Sequence, residues 1–398
     1  MPNTLLNADM ITREALRVLH QKLVFVGSIN RAYDSSFAEE GAKIGSTLRI
    51  RNPNQFTVRN GAAISLQDVV ETNTALTVDT QVGVDFEFSS KELTMNIDAF
   101  SDRYLRPAMS RIAAEIESKV LQQMYLATPN IVDGDGAAIS LLRVLQGRKV
   151  LQDELAPEDD RTALLSTTHE VALVDALKGL FQDSEAIKKQ YRDGMMGRTG
   201  GFDFYCSSHV ARHTTGTAAK TTGYLSNSAT AQVGSTIVID GGTTTFRRGD
   251  IVTFAGVFAV HPQTKVSTGV LKTFVVTADT STSATSLAIS PAIVATGARQ
   301  NVSNGIADNQ AIVKVGAGNG ETLDGSMVYH KDAFTFATAD LVVPRGVDMA
   351  SRQVYDGISM RMVRQYSISE DTFPVRFDVL YGAQAIRPEH ACRIHADG

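Results

Sequence analysis

Residues 76–88 read Leu-Thr-Val-Asp-Thr-Gln-Val-Gly-Val-Asp-Phe-Glu-Phe, and apolar and polar side chains alternate along almost the whole stretch. A strict period of two predicts one long strand with an apolar face and an acidic, solvated face. At about 3.3 Å per residue, such a strand spans roughly 43 Å, well beyond the usual strand of five or six residues. We therefore expect it to reach outside its own subunit.

Upstream of this strand, Thr47 to Arg51 form a shorter alternating run that stops at Asn52-Pro53. Asn60-Gly61 predicts a further turn. Residues 46–88 are thus interpreted as the two antiparallel arms of a long β-hairpin. The first arm is basic and the returning arm is acidic, and opposite charges can set the choice of partner. The residues expected to contact neighbouring subunits are Arg49, Arg51, Arg59, Val78, Asp79, Val82, Val84, Asp85 and Phe86.

A long helix is predicted next, over residues 98–127. Its apolar stripe is Ile112, Ile116, Val120 and Met124, at helical spacing. Pro107 lacks a backbone donor and is expected to kink or restart the helix. An amphipathic core helix is the ordinary interpretation, but the preceding ribbon favours a spine that carries contacts between subunits.

Other elements follow from shorter patterns. A first helix is expected near Asn7 or Asp9, and two more helices near residues 139–154 and 168–192. Residues 226–330 are rich in Thr, Ser, Gly, Ala and Val with few charges, which predicts a small inserted all-β domain, either a barrel or a sandwich. The expected strands are 235–239, 251–254, 274–276 and 312–315 within this domain, and 202–205 and 375–381 outside it.

Composition restricts the class of protein. The chain has 398 residues, 43% of them hydrophobic and 20% charged, enough for two or three domains with cores. A net charge of −5 argues against a dedicated nucleic-acid binder. The two cysteines, Cys206 and Cys392, cannot form a disulfide framework and indicate reduced thiols in a cytosolic compartment. No secretory signal or membrane-spanning run is evident.

The sequence gives only weak evidence for a metal-binding, catalytic or nucleotide-binding site. Cys206, His209 and His213 have spacing that zinc accepts, and Cys392 with His395 could complete a ligand set, but neither group reaches four ligands alone. Residues 133–136, Asp-Gly-Asp-Gly, resemble a calcium loop without its closing Glu, so a tight turn is favoured. Residues 316–320, Gly-Ala-Gly-Asn-Gly, lack the third glycine of a dinucleotide fingerprint and predict a flexible loop. We expect no catalytic residue, no cofactor and no metal.

Several short motifs carry a family resemblance. They occur at residues 191–194 with 201–203, 246–250 with 254–257, and 380–383 with 387–389. With the hairpin, the long helix and the inserted β-domain, the chain resembles the P22-like coat proteins of tailed phages. The resemblance implies the α+β HK97-type capsid fold. Its parts would be an N-terminal arm (1–40), an extended loop and peripheral domain with the spine helix (41–129), an axial domain (130–225), the inserted β-domain (226–330) and an axial and peripheral remainder (331–398).

The resemblance also implies a function. Such proteins form pentamers and hexamers of an icosahedral shell around double-stranded DNA, with a scaffolding protein and a portal protein, and they assemble in the host cytoplasm before residing in the virion. Between Lys43 and Lys91 there is no lysine for an isopeptide cross-link, so a non-covalent shell is expected. The alternatives are an encapsulin-type nanocompartment shell, an adhesive β-protein and a hydrolase with an unrecognised site.

Overall fold

The computed structural model describes residues 8–31, 47–59, 61–62, 64, 66–68, 71–89, 101–177, 198–316 and 318–397. The helices lie mainly in the first half of the described chain and long runs of strands follow them, as in an α+β protein. The helices are α1 (Ala8–Lys22), α2 (Phe25–Ser28), α3 (Arg106–Ala127), α4 (Leu141–Asp153) and α5 (Thr167–Leu177). A π-helical turn occupies Ser101–Leu105, and 3-10 turns occupy Lys331–Ala333 and Pro388–His390.

More of the described residues lie in strands than in helices. Before the barrel they are β1 (Thr47–Arg51), β2 (Asn73–Thr77), β3 (Thr80–Ser89), β4 (Asn130–Ala138), β5 (Arg161–Leu165), β6 (Arg198–Thr199), β7 (Phe202–Cys206) and β8 (Arg212–Thr214). The next group is β9 (Thr221–Ser226), β10 (Gly234–Asp240), β11 (Ile251–Phe254), β12 (Phe258–Val260), β13 (Ser267–Leu271), β14 (Phe274–Val276), β15 (Ser286–Ile293) and β16 (Ala311–Val315). The last are β17 (Thr322–Asp324), β18 (Met327–His330), β19 (Phe334–Ala339), β20 (Met349–Tyr355), β21 (Ile358–Arg364), β22 (Thr372–Ala385) and β23 (Ala391–Asp397).

The chain forms two compact units, the first made of the described residues within 1–50, 73–120 and 334–384. Its centre is a five-stranded sheet in which β22 lies beside β19, β21 and β3. Strand β3 pairs antiparallel with β22 from Thr80 opposite Tyr381 to Ser89 opposite Thr372. Gly83 is needed in this pair, because a Cβ there would lie 2.5 Å from the Phe377 carbonyl oxygen. Helix α1 packs on β20 and β21.

The prediction of one uninterrupted strand over residues 76–88 is wrong. The chain changes partner at Val78-Asp79: β2 pairs with β1, whereas β3 pairs with β22 of the same subunit. Val78 lies at the change and is buried with Ala339, Leu341 and Leu380. The predicted alternation of faces nevertheless holds on both sides of the break, since burial has a period of two through β2 and β3.

Helix α3 agrees with the predicted spine in its apolar stripe. Ile112, Ile116, Val120 and Met124 are all at most 1% exposed. The α-helix starts at Arg106, after the π-helical turn, so Pro107 stands in the first turn, where its missing N–H costs no hydrogen bond. Predicted residues 98–100 lie outside the described part of the chain.

The second unit consists of the described residues within 51–72, 121–333 and 385–398. A six-stranded mixed sheet runs in the order β4-β23-β18-β5-β7-β6, with parallel pairs between β4 and β23 and between β5 and β7. Beside it in sequence, β9, β10, β11, β14, β15 and β16 close a barrel. Its core includes Phe246, Phe254 and Phe274, each fully buried. The barrel alternative to a sandwich is therefore the observed one, and its strands run from Thr221 to Val315.

The remaining predicted elements have mixed outcomes. The six short strands are confirmed within two residues at each end, except 375–381, which belongs to the longer β22. Helix α4 confirms the prediction near 139–154, and α5 starts as predicted, but residues 178–192 of the second predicted helix lie outside the described residues, as does Asn60 of the predicted turn.

The predicted tight turn at residues 133–136 is wrong, because these residues belong to β4. A Cβ at Gly134 would lie 2.7 Å from the carbonyl oxygen of His395. The glycine there allows close approach of two strands instead of a reversal of the chain.

Within the described part of the chain, no helix combines the length and the apolar character needed to cross a bilayer. The boundaries of the predicted domains stay predictions.

Candidate functional site

The loop between β1 and β2 exposes apolar side chains to an unusual degree. Phe56 is 62% exposed, Val58 91%, Ile64 80% and Leu66 93%. We call these four residues the loop surface. Single exposed apolar side chains are ordinary, but a group of large ones on one segment indicates an interaction site.

The Gln67 side chain joins the two limbs of this loop at Thr57. The Thr57 amide donates to Gln67 Oε1 at 2.7 Å, and Gln67 Nε2 donates to the Thr57 carbonyl at 2.6 Å. The Gln67 amide thus replaces a pair of backbone bonds between strands. Because successive residues of an extended chain point to opposite sides, Phe56 and Val58 share a side of their limb.

The predicted basic residues lie on the same part of the chain. Arg49 and Arg51 are exposed on β1, and Arg59 is exposed in the loop, where its guanidinium donates to the Gly61 carbonyl. Arg51 lies 3.7 Å from Glu71, with 81% of its side chain exposed. An ion pair this open contributes at most about 1 kcal/mol, so Arg51 retains its capacity to pair with another molecule.

The predicted residues of β3 lie against their own subunit. Val82, Val84 and Phe86 are half-buried, and the Phe86 ring stacks on Phe377 with centroids 5.9 Å apart. Asp79 is exposed and accepts a hydrogen bond from the Thr80 hydroxyl at 3.1 Å.

Asp85 has a strong partner in its own chain. Arg376 donates to both carboxylate oxygens, at 2.8 and 2.7 Å. These hydrogen bonds hold the pKa of Asp85 below its usual value of 3.8. The charge of Asp85, predicted to face a neighbour, is therefore already compensated within the subunit.

Val78 is a correction to the predicted contact residues. It has no exposed surface, because it fills the cluster at the break between β2 and β3. A side chain buried within its own subunit cannot also contact another subunit.

The side chains considered as metal ligands in the sequence do not form one group among the described residues. His209 is exposed, while His213 is buried and its Nε2 lies 2.9 Å from Asp250 Oδ1. His395 Nδ1 lies 2.9 Å from Asp133 Oδ1. Among the residues that the structure describes, no group of three or more His, Cys, Asp or Glu side chains could hold a metal ion.

The thiols are poorly suited to chemistry. Burial raises the pKa of Cys206 to about 12, helped by a hydrogen bond with Glu170, and burial raises the pKa of Cys392 to about 12. The thiolate is the nucleophile and the metal ligand, so neither group is populated in its reactive form near neutral pH.

Asp250 instead has a structural role. Burial alone would raise the pKa of its carboxyl, but hydrogen bonds from His213 and from the amides of Arg247 and Gly216 hold it below its usual value. Its oxygens are thereby occupied by three donors from the same unit.

The glycine-rich loop lines a polar cleft of about 850 Å³ together with Gly136 and His395. The amide of Gly316 donates to Asp133, and those of Asn319 and Gly320 donate to carbonyls of Ala218 and Gly216. Amides already bonded to protein cannot cradle a phosphate, which agrees with a β-loop and not with a dinucleotide site.

Sequence reasoning missed the loop surface. The available signal was local alternation, Phe56-Thr57-Val58 on one limb and Ile64-Ser65-Leu66 on the other. Each run is only three residues long and lies close to Pro53 or Gly61, so its periodicity does not distinguish it from an irregular turn.

A protein-family comparison identifies the chain. The family described as P22 coat protein, gene protein 5, matches residues 7–393. The chain belongs to the P22 coat protein family. It is a phage major capsid protein, a subunit of a many-copy shell, and its location is the capsid of the virion.

Solved structures give more distant likenesses to this coat protein. One from Mycobacterium phage Che8 has 11% identity and a TM-score of 0.49, covering 94% of this chain and 90% of that one. The capsid of cyanophage P-SCSP1u has 10% identity and a TM-score of 0.45, with coverages of 90% and 85%. The mature capsid of bacteriophage PhiM1 has 12% identity and a TM-score of 0.43, with coverages of 88% and 82%. Comparison with curated proteins found no match.

Proposed function

We propose that this coat protein closes its shell through the loop surface, which packs on a neighbouring copy of the same chain. The observation that supports this most directly is the exposure of Phe56, Val58, Ile64 and Leu66, from 62% to 93%. Fully burying one side chain of this kind contributes about 1.5–3 kcal/mol before ordering costs. A shell repeats the contact at every subunit, so modest contacts are sufficient.

Charged residues are also part of the proposed set of contacts. Arg59 lies on the loop, Arg49 and Arg51 lie on the adjoining strand β1, and all three have exposed side chains and are retained as basic contacts. Asp85, Val82, Val84 and Phe86 stay in the proposed set through the surface they leave exposed on β3, and Asp79 stays through its exposed position just before that strand. Rim charges chiefly select the partner and the rate of encounter, while buried apolar groups supply most of the affinity.

The finer assembly is likewise proposed. Copies form hexamers and pentamers in an icosahedral shell, which assembles in the host cytoplasm with a scaffolding protein and a portal protein. The shell encloses double-stranded DNA without reading its sequence, consistent with a net charge of −5. The role is non-enzymatic. The family match favours this phage coat over an encapsulin-type shell.

The shell is proposed to be non-covalent, because the segment between Lys43 and Lys91 contains no lysine. Boiled mature particles on a denaturing gel are expected to give one band near 42.9 kDa, the mass of the monomer. A ladder of linked multimers contradicts this expectation.

The deciding experiment is electron microscopy with size-exclusion chromatography, after expression of the chain alone and with its neighbouring genes. The wild type is expected to form shells, polyheads or capsomer rings. The double variant Phe56→Ser, Leu66→Ser is expected to fold with an unchanged midpoint in urea and to stay unassembled. The matched control is Val171→Ser, which changes another exposed apolar residue, 71% exposed, outside the loop.

Two outcomes distinguish the proposed assembly role from the proposed contact through the loop surface. A wild type that stays small under every condition contradicts the assembly role itself. A double variant that assembles as readily as the control contradicts only the assignment to the loop surface.

A further inference from the structure

Helix α3 carries a buried acid that bonds to the N-terminal segment. Glu117 is 1% exposed. Its Oε1 accepts a hydrogen bond from the Phe25 amide, and its Oε2 accepts one from the Val26 amide at 3.3 Å. The Val24 amide also stabilises the ionised carboxylate. One side chain of the long helix therefore binds the turn at Val24–Val26, and all of these residues belong to the first unit.

The contact has no countercharge among the described residues. Neither α2 nor β19, whose Phe334 ring lies 5.8 Å from that of Phe25, contains a titratable residue. On α3, Glu115 and Lys119 pair with each other at 2.8 Å, and both are about half exposed.

The charges at the other end of α2 also pair among themselves. His20 and Arg31 lie 2.6 and 2.7 Å from Asp356, and Arg31 also donates to the Gly27 carbonyl. Burial without a cation raises the pKa of Glu117 to about 7, although the bonds from the Phe25, Val26 and Val24 amides lower it. Dry surroundings thus outweigh the donors.

We propose that Glu117 is a proton-dependent latch between the N-terminal segment and helix α3. With its proton, the neutral carboxyl holds the turn at Val24–Val26 against the helix. Without the proton, the negative charge of the Glu117 carboxylate lies without a cation in a site that water does not reach. Release of the turn allows water to hydrate this charge. Docking of the N-terminal segment on helix α3 of this capsid subunit therefore depends on pH.

The direction of the effect follows from linkage. The docked state has a pKa of about 7 for this acid, and the released state has the ordinary value of 4.5. A raised pKa means that docking is strongest below pH 4.5 and weakens as the pH rises through 7. Between about pH 6 and about pH 8.5, these two pKa values imply an increase of about tenfold in the ratio of released to docked turn.

The test is amide hydrogen exchange at Phe25 and Val26 in the full-length protein, corrected for the intrinsic pH dependence of exchange. The wild type is expected to lose protection by about tenfold between about pH 6 and about pH 8.5. Glu117→Gln, which has no titrating group, is expected to show the same protection at both pH values. Glu115→Gln, two residues away on the exposed side of the helix, is the matched control and is expected to follow the wild type.

The latch is overturned if Glu117→Gln keeps the wild-type pH dependence, or if wild-type protection does not change with pH. Should Glu117→Gln fail to fold, infrared difference spectroscopy of the wild type supplies the second test. A buried carboxylic acid that ionises near pH 7 supports the latch if it is also present in Glu389→Gln, because burial raises the pKa of Glu389 as well. Ionisation of every carboxyl below about pH 5.5 refutes the latch.

Discussion

Strand β3 and the loop surface are both built from alternating apolar and polar residues, yet their apolar side chains have opposite fates. Those of β3 are half-buried or, at Phe88, buried on the subunit's own sheet, where β3 pairs with β22 from Thr80 to Ser89. Those of the loop are from 62% to 93% exposed. Alternation therefore tells which residues share a face, but it does not tell which molecule covers that face.

Two valines give the largest expected difference between these regions. Val78→Asp buries a charge in the cluster of Ala339, Leu341 and Leu380 and is expected to destabilise the subunit by about 4 kcal/mol or more. Val58→Asp makes the same change at a side chain that is 91% exposed and is expected to leave folding unchanged. Urea unfolding of the unassembled subunit measures the first effect, and sedimentation of assembled particles measures the second.

The opposite results for the two valines contradict the roles given to the two regions. If Val78→Asp folds normally and only assembly is lost, Val78 contacts another subunit, as the sequence had predicted. If Val58→Asp assembles with the wild-type yield, the proposed loop contact is refuted.

Much of the fold followed from the sequence, because periodicity and turn residues are local properties. The stripe of α3 and the barrel strands β11 and β14 were predicted from such patterns. The break at Val78-Asp79 could not be predicted, since the exchange of β1 for β22 as partner depends on residues about 300 positions further along the chain. The prediction of a turn at residues 133–136 is wrong for a similar reason. Gly134 allows the close approach of β23, and no local pattern in the sequence indicates that contact.

Phe86 on β3 and Phe56 on the loop give a second test of which region contacts a neighbouring subunit, with effects of intermediate size. Phe86→Ala removes a half-buried ring that stacks on Phe377, and it is expected to cost about 2 kcal/mol of subunit stability, roughly half the loss for a fully buried ring. Phe56→Ala, at 62% exposure, is expected to cost under about 0.5 kcal/mol of folding stability but to raise the concentration needed for assembly about tenfold.

Denaturant unfolding and light scattering against protein concentration distinguish the two phenylalanines. Loss of assembly by Phe86→Ala without loss of stability restores β3 as the principal contact. Equal stability losses in both variants show that the loop packs on its own subunit.

The sequence predicts the contact surface less well than it predicts the fold. The basic residues Arg49, Arg51 and Arg59 were predicted on the exposed arm, and all three are exposed. Asp85 on the acidic arm was also predicted to contact a neighbour, but Arg376, which is remote in sequence, neutralises it. Compensation of a charge is a tertiary property, so a sequence shows the charge and not its partner.

Two exposed ion pairs give the smallest expected effects. Asp85→Asn removes a two-bond pair whose side chains are 59% and 55% exposed, and the expected loss of subunit stability is under about 1 kcal/mol. Because Arg376 lowers the pKa of Asp85, this contribution is present above pH 3.8 and disappears as the pH falls below it. Urea titrations of wild type and variant are therefore expected to converge in strong acid and in high salt.

Arg51→Glu completes the comparison, because its pair with Glu71 is longer, at 3.7 Å, and more exposed. Folding is expected to change by less than about 0.5 kcal/mol, while assembly weakens because the charge at the proposed contact is reversed. The same change at Arg49 is expected to act alike, since that side chain is also exposed. If Asp85→Asn impairs assembly more than Arg51→Glu does, the acidic strand and not the basic loop faces the neighbouring subunit.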